Sequence, residues 1–495
     1  MKKRKKSFIL SANFLNQPDF IKKTISKKRV SVEVVDPKTL ITPKRFDVLA
    51  KIIFLKFLTS NSDDNIGEKL YIKHLELLNG LLEVDSNGTS RKIGKDSFIL
   101  SFKNLLLSIK KDFNKSYAIP ISNNNILDGA HRLAVAIFLK KDIFVFKTNR
   151  KEFNYSYSFF KEKKFPEIYL DMMANEYLLY KKKARLIFLW PTADKSKDSK
   201  FYELLNKHGD LVYEKTIKIV SENAWVLIRE VYKNETWLGN FKNQFLGAKN
   251  KAIWCFQKKN PLRVILYESN NDLVKVKQLI RNLYNEGKHS IHITDNYSET
   301  YELSSLMFNK NSIHWLNNYR LKKYNWFGEL FLNYKKFLNH SRLDKNKFCI
   351  DGSSVLSIYG LREARDIDFL HTYKKNIDTK IIGVTDHNSA FSFHGQNLFT
   401  LVNDPRNFFY YSGFKVISLE QLKQYKKNRN EKKDIDDLNL INSITNINHY
   451  KNNYFFYNFT FSNFKNIVYL LLLKIRFYIY KFIIFKLRND HRQQR

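Results

Sequence analysis

Cysteine, proline and glycine are all scarce in this chain, at 2, 8 and 15 of 495 residues. Cys255 and Cys349 are too few and too far apart for a disulfide framework or a cysteine zinc site, which points to a reducing cytoplasm. With so little Gly and Pro there is no long flexible or stiff linker, and no internal repeat stands out. No apolar run after the basic start Met1–Lys6 is long enough for a signal peptide, so the mature chain is expected to begin near Met1. Acidic residues are short as well: 48 Asp and Glu face 86 Lys and Arg, a net charge of +38. Such a surplus attracts phosphate-rich partners or an anionic membrane surface. Abundant Phe, Tyr, Ile, Asn and Lys is also what AT-rich coding yields, so charge alone does not select a nucleic acid. No aromatic-basic RNA motif or zinc-ligand array supports one.

A prior of about 150 residues per domain predicts three or more domains. The boundaries expected from composition are 1–150, a connector at 151–183 with a helix over Ile168–Tyr180, a middle domain at 184–317, a fourth segment at 326–445, and a tail at 446–495.

The strongest chemical signal runs from Ile350 to Leu370. Gly352-Ser353, where a strand should turn into a helix over Ser354–Tyr359, offers backbone N–H groups to a triphosphate with no side chain in the way. Asp366 and Asp368 lie one residue apart between apolar neighbours, so on a strand they share a face and can grip one hard cation, with Mg²⁺ expected. This Gly-Ser, helix, Asp-Ile-Asp order resembles the core of the DNA polymerase beta-like nucleotidyltransferase superfamily over about Trp326–Ile441. The resemblance implies a nucleotidyltransferase fold that consumes a nucleoside triphosphate, ATP or CTP, with Asp366 and Asp368 as metal-binding catalytic residues. Gly352 and Ser353 would position the phosphates, Arg362 or Arg365 would compensate charge, and Lys423 on the basic helix after Phe414 would add a nucleotide contact. The family's third catalytic carboxylate is left between Asp386 and Asp404.

Asp128-Gly129-Ala130-His131-Arg132 brings an apolar strand through a tight turn into a helix, which would place N–H groups, His131 and Arg132 around an anion. It resembles the phosphate-binding turn of the ParB and sulfiredoxin fold over Tyr117–Lys147. The alternative is a helix cap with Arg132 on an exposed face. From Ala184 to Phe308, strand, helix and strand recur: strands at Ala184–Trp190, Asp210–Val220, Cys255-Phe256, Leu262–Glu268 and Ser290–Thr294, and helices at Ser199–His208, Asp272–Tyr284 and Ser298–Phe308. The order predicts a split β-α-β, ferredoxin-like sheet. Lys288 to Asp295 resembles the end of the nucleoside diphosphate kinase core, which implies a phosphorylated histidine at His292, with Arg281 a basic anchor and a kinase-type activity beside the nucleotidyl transfer. His289 and His292, three apart, also read as a metal pair with Asp295 or His314.

The tail from Asn466 to Arg488 is apolar and aromatic but carries Lys474, Lys481 and Arg488 seven residues apart, the pattern of an amphipathic helix lying on an anionic membrane surface or docked on the body. The whole predicts a cytoplasmic, multidomain α/β and α+β protein at the inner face of a membrane. Its expected activity is Mg²⁺-dependent transfer of a nucleotidyl group to a small-molecule or carbohydrate-linked acceptor, for which surface-polysaccharide assembly is one setting. The competing reading is a nucleic-acid-binding protein that modifies RNA or a protein partner.

Overall fold

The computed structural model describes residues 7–445 apart from 24, 26–28, 59, 61–63, 85–89, 270, 322–324, 376 and 380. The expected amphipathic helix at 466–488 therefore lies outside the described residues. The chain divides into two compact units, Met1–Ile435 and Asp436–Arg495. Three main sheets, each with its own helices, lie in the first unit. No helix of the described residues is long and apolar enough to cross a membrane.

The first sheet contains β1 (Ser7–Ser11), β2 (Arg29–Val35), β3 (Ile119–Ser122), β4 (Asn125–Ile126) and β5 (Ile143–Lys147), in the order β1-β2-β5-β3-β4. β3 and β5 are parallel, joined through the helix Ala130–Leu139, whose Leu133, Ala134, Val135, Ala136 and Ile137 are buried. Val32, Ala118, Leu127 and Phe146 close the sheet's core.

The middle sheet is fully antiparallel, with β6 (Arg185–Leu189), β7 (Gly209–Ile217), β8 (Leu262–Ser269) and β9 (Ile291–Ile293) in the order β9-β6-β8-β7. Its central strand β8 reads Leu-Arg-Val-Ile-Leu-Tyr, apolar on both faces because helices cover one side and neighbouring elements the other. The helix Leu273–Tyr284 shows how sequence sets such an element. Asp272 caps it by accepting from the Val274 N–H, Val276, Ile280 and Tyr284 form its buried stripe at a spacing of four, and Asn285 ends it at φ +55°. That stripe packs on Ile187, Ile265 and Ile293, and each such aliphatic side chain contributes roughly 1.5–3 kcal/mol on burial. Cys255, expected in an extended segment, instead closes the helix Leu246–Cys255. Ala248, Ala252 and Cys255 are buried together at helical spacing, and that burial outweighs the weak strand preference of Cys255-Phe256.

The third sheet contains β10 (Phe348–Asp351), β11 (Ile367–His371), β12 (Val384–Asp386), β13 (Phe408–Tyr411) and β14 (Phe414–Ile417), in the order β12-β11-β10-β14-β13. Polar side chains tie it and the turn that follows β10 to the helix Lys310–Asn318. Trp315 Nε1 donates to the Ile358 carbonyl at 3.0 Å, and the Tyr410 N–H donates to Ser312 Oγ at 2.9 Å. The connector helix Glu167–Leu178 is tied to the middle sheet, its Asp171 accepting from Lys215 Nζ at 2.5 Å and Tyr213 Oη at 2.8 Å, and its Glu176 accepts from Lys56 of the helix Asp47–Phe57 at 2.6 Å.

Candidate active site

β10 and β11 run antiparallel, with Ile350 opposite Phe369 and Asp351 opposite Asp368. Directly opposed residues point to the same face, so Asp351 and Asp368 stand side by side. Asp366, two residues before Asp368, adds its charge to the same neighbourhood. β10 is buried along its whole length and ends at Gly352, whose φ of +66° turns the chain into the one-turn helix Ser354–Ile358. A Cβ at Gly352 would collide with the Asp368 carboxylate, so the second aspartate lies directly over the turn. Ser354 Oγ donates to the Asp366 carbonyl at 2.9 Å and fastens the turn to the start of β11. Ser353, half-buried at the helix start, caps no backbone group with its hydroxyl.

Electrostatics set this face apart. Burial pushes the Asp368 carboxyl up to about 6, and the charges of Asp366 and Asp351 add to burial while His387 and Lys426 oppose it. Asp351 goes the other way. Burial would raise it too, but His394 and His387 hold it well below the ordinary carboxylate range. His387 Nδ1 lies 2.9 Å and His394 Nε2 3.0 Å from the same oxygen, Oδ2. The other oxygen, Oδ1, is sealed from solvent and has no hydrogen-bond partner among the described residues. The His387 imidazole is raised in turn, its burial outweighed by Asp351 and Asp368. The network continues to the helix Leu419–Arg429, whose Tyr425 hydroxyl lies 3.3 Å from His387 Nε2 and accepts from Arg429 at 3.2 Å. Lys426 and Arg429 both pair with Asp434, at 2.9 and 2.6 Å.

Asp368 on β11 and Asp366 just before it are both half-buried and close enough for one charge to raise the other, and their carboxylates are the hard-oxygen donors that Mg²⁺ takes. Among the described residues no group of three His, Cys, Asp or Glu side chains is poised to hold a metal. An ion there would take Asp366 and Asp368 and complete its shell from water and phosphate oxygens, the usual pattern for Mg²⁺.

Both candidates for the third carboxylate are engaged elsewhere. Asp386 on β12 pairs with Phe369, which puts it on the opposite face from Asp368, and it accepts from His371 Nε2 at 2.9 Å and from the Ile377 and Asn388 amides. Asp404 is buried under Arg406, which reaches it at 2.6 Å and also binds Asp64. The third acid on the face is Asp351, inside the Ile-Asp-Gly-Ser motif itself. Arg365 is exposed and Arg362 donates to the Glu363 carbonyl at 3.0 Å, both in the loop that leads into β11. Lys423 is half-buried on the helix that carries Tyr425 and Lys426, and no described contact joins it to the aspartates.

At the first sheet, Gly129 does take a left-handed conformation, φ +80°, at the start of its helix. Arg132 folds back over that glycine, pairs with Asp128 at 2.7 Å and donates to the Tyr117 carbonyl at 2.5 Å. His131 turns toward Tyr71 and Phe102, with Nε2 3.1 Å from the Tyr71 hydroxyl. Burial, followed by Lys51 and His74, holds its imidazole well below the usual range, so it carries no charge at neutral pH.

A cavity of about 1000 Å³ opens beside the middle sheet, not over the aspartates. His292 on β9 lines it, 7 % exposed, with Nε2 3.0 Å from Glu299 Oε1. His289 and Asp295 also line the cavity, whereas His314 sits apart at 3.0 Å from the Tyr359 hydroxyl. No family model matches the chain, and no curated protein or solved structure matches it.

Proposed function

We propose that the third sheet carries a Mg²⁺-dependent nucleotidyltransferase site, acting in the cytoplasm on a small-molecule or carbohydrate-linked acceptor. The observation that carries this reading is the pairing of Asp351 with Asp368 directly over the Gly352 turn. An acceptor oxygen forms a bond to the α-phosphorus of a nucleoside triphosphate as the bond to pyrophosphate breaks. Bound at Asp366 and Asp368, a divalent ion would neutralise charge developing on the phosphate oxygens. The remaining work falls to the chain. The Gly352 turn admits the phosphates close to the backbone, Ser353 offers an uncommitted hydroxyl, and the Asp351, His387 and His394 cluster fixes the end of β10 so that both metal-binding aspartates keep their position. The test is transfer of label from α-labelled ATP, CTP, GTP and UTP across a broad acceptor panel, with the wild type compared with Asp366→Ala and Asp368→Ala. Transfer by the wild type alone supports the reading. Equal transfer by all three proteins, or none by any, counts against it.

A further inference from the structure

We propose that the cavity beside the middle sheet binds a phosphorylated, hydroxyl-rich small molecule such as a sugar phosphate. This does not rest on nucleotidyl transfer at the aspartate face.

Three cations carry the phosphate half of the inference. Lys251, Arg281 and Lys288 line the cavity, and no carboxylate pairs with any of them among the described residues. Other lining lysines are neutralised, Lys233 by Glu302 and Lys277 by Asp295 at 3.6 Å. Lys251 Nζ donates to the Lys288 carbonyl at 2.7 Å and lies 3.3 Å from His289 Nδ1, so the positive groups crowd one end. The crowding shows in the titrating groups. Burial lowers His289 to about 4 with Lys251 and Lys288 adding to it, and burial lowers Lys251 with Arg281 and Lys288 adding to it. Like charges gathered with no carboxylate paired to them oppose the folded state, and a phosphate dianion relieves that repulsion.

Two buried atoms point to a ligand independently of the charge. Nε of Arg281, a donor, and Oδ1 of Asn250, an acceptor, are sealed from solvent and have no hydrogen-bond partner among the described residues. Buried polar atoms are rarely left so. A ligand that parts the side chains around them would give the first an acceptor in a phosphate oxygen and the second a donor in a hydroxyl.

The rings favour a sugar over a nucleobase held between two planes. Tyr232 and Trp237 meet at 57° with centroids 5.4 Å apart, and Trp254 and His289 meet at 40° and 5.8 Å. Neither pair forms the parallel slot that grips a flat base. Tilted aromatic faces beside the carboxylates of Glu235 and Asp295 instead suit the C–H faces and hydroxyls of a sugar or polyol.

Calorimetric titration of the full-length protein with hexose 1- and 6-phosphates, pentose 5-phosphates and glycerol 3-phosphate tests this, with free sugars, inorganic phosphate and adenosine monophosphate as comparators. At least one sugar or polyol phosphate should bind more tightly than every comparator. Arg281→Gln and Lys288→Gln should each weaken it about tenfold, the loss expected for one charge-assisted contact. Lys288 is exposed, so its replacement leaves folding intact. Asp366→Asn should bind as the wild type does. The proposal falls if no sugar or polyol phosphate binds, if adenosine monophosphate binds more tightly than all of them, if both cation variants bind unchanged, or if Asp366→Asn abolishes binding.

Discussion

The Gly352 turn and the Gly129 turn are built alike. In each a buried strand leads into a glycine with positive φ, directly at Gly352 and after Leu127 and Asp128 at Gly129, and a helix follows, with ionisable side chains within four residues or across the sheet. They differ in where those side chains go. At Gly129 the cation and the anion satisfy each other, Arg132 with Asp128, and the histidine turns away uncharged. At Gly352 the acids gather on one face, and burial together with like charge pushes Asp368 up. A tight turn that can hold an anion becomes a candidate site when its neighbours are held together against their own electrostatics.

The sharpest way to break this contrast is to remove an acid. Under the nucleotidyltransferase reading, Asp368→Ala should lower label transfer by roughly a thousandfold, since losing a metal ligand removes several kcal/mol of transition-state stabilisation. Arg132→Ala should leave transfer within about twofold and show itself only as a loss of stability of about 1 kcal/mol in denaturant titration. Comparable losses of activity in both variants would erase the distinction. The glycines come next. Gly352→Ala forces an L side chain into positive φ and onto the Asp368 carboxylate, so transfer should fall about a hundredfold through misplacement of the metal-binding acid. Gly129→Ala meets only the flexible Arg132 guanidinium, at 2.9 Å, and should cost about 1 kcal/mol of stability with transfer intact.

A smaller effect probes the support beneath the face. His394→Ala removes one of two imidazoles from the fully buried Asp351, and should destabilise the protein by about 2 kcal/mol, as a buried carboxylate deprived of a partner does. Unchanged thermal unfolding of that variant would show that Asp351 does not depend on the pair.

What could be read from the chain was local, and what was missed was distant. Alternation predicts Asp366 and Asp368 on one face, but the strand begins at Ile367, one residue after Asp366, so what was legible at a range of a few residues was Asp368 on β11 and the turn announced by a Gly-Ser pair at a strand end. Over the middle sheet the structure keeps the expected strands near 184–190, 210–220, 262–268 and 290–294 and the three expected helices, but the extended segment expected at Cys255-Phe256 is the end of a helix, and the helices Ala224–Val231 and Leu246–Cys255 were not foreseen. The significance of Asp351 was hidden because its partners His387 and His394 come 36 and 43 residues later. Asp404 looked free for the same reason: Arg406, its neighbour, is anchored by Asp64, which lies 342 residues before that arginine. The Gly129 turn misleads in the opposite direction, since nothing in its local sequence says that Arg132 bends back to Asp128 while Tyr71, 60 residues earlier, draws His131 inward.

The least dramatic expected effect separates a metal-binding face from a merely buried one. Asp368 sits near 6 in the folded chain, against about 3.9 unfolded, so between those values the folded state holds the extra proton. Without metal, the contribution of Asp368 to stability should therefore fall as pH rises through that window, the reverse of an ordinary ion-paired aspartate, and it is read as the difference between wild type and Asp368→Asn because His131 and His289, held low, contribute with the opposite sign. Mg²⁺ competes with that proton, so its affinity should rise with pH and level off above about 7, with a loss of roughly tenfold on going from pH 7 to pH 5. Calorimetric Mg²⁺ titrations at pH 5, 6 and 7 check the slope, and Asp368→Asn should flatten whatever binding remains. A wild-type affinity indifferent to pH would mean that Asp368 does not meet the ion, and the Gly352 face would lose what distinguishes it from the turn at Gly129.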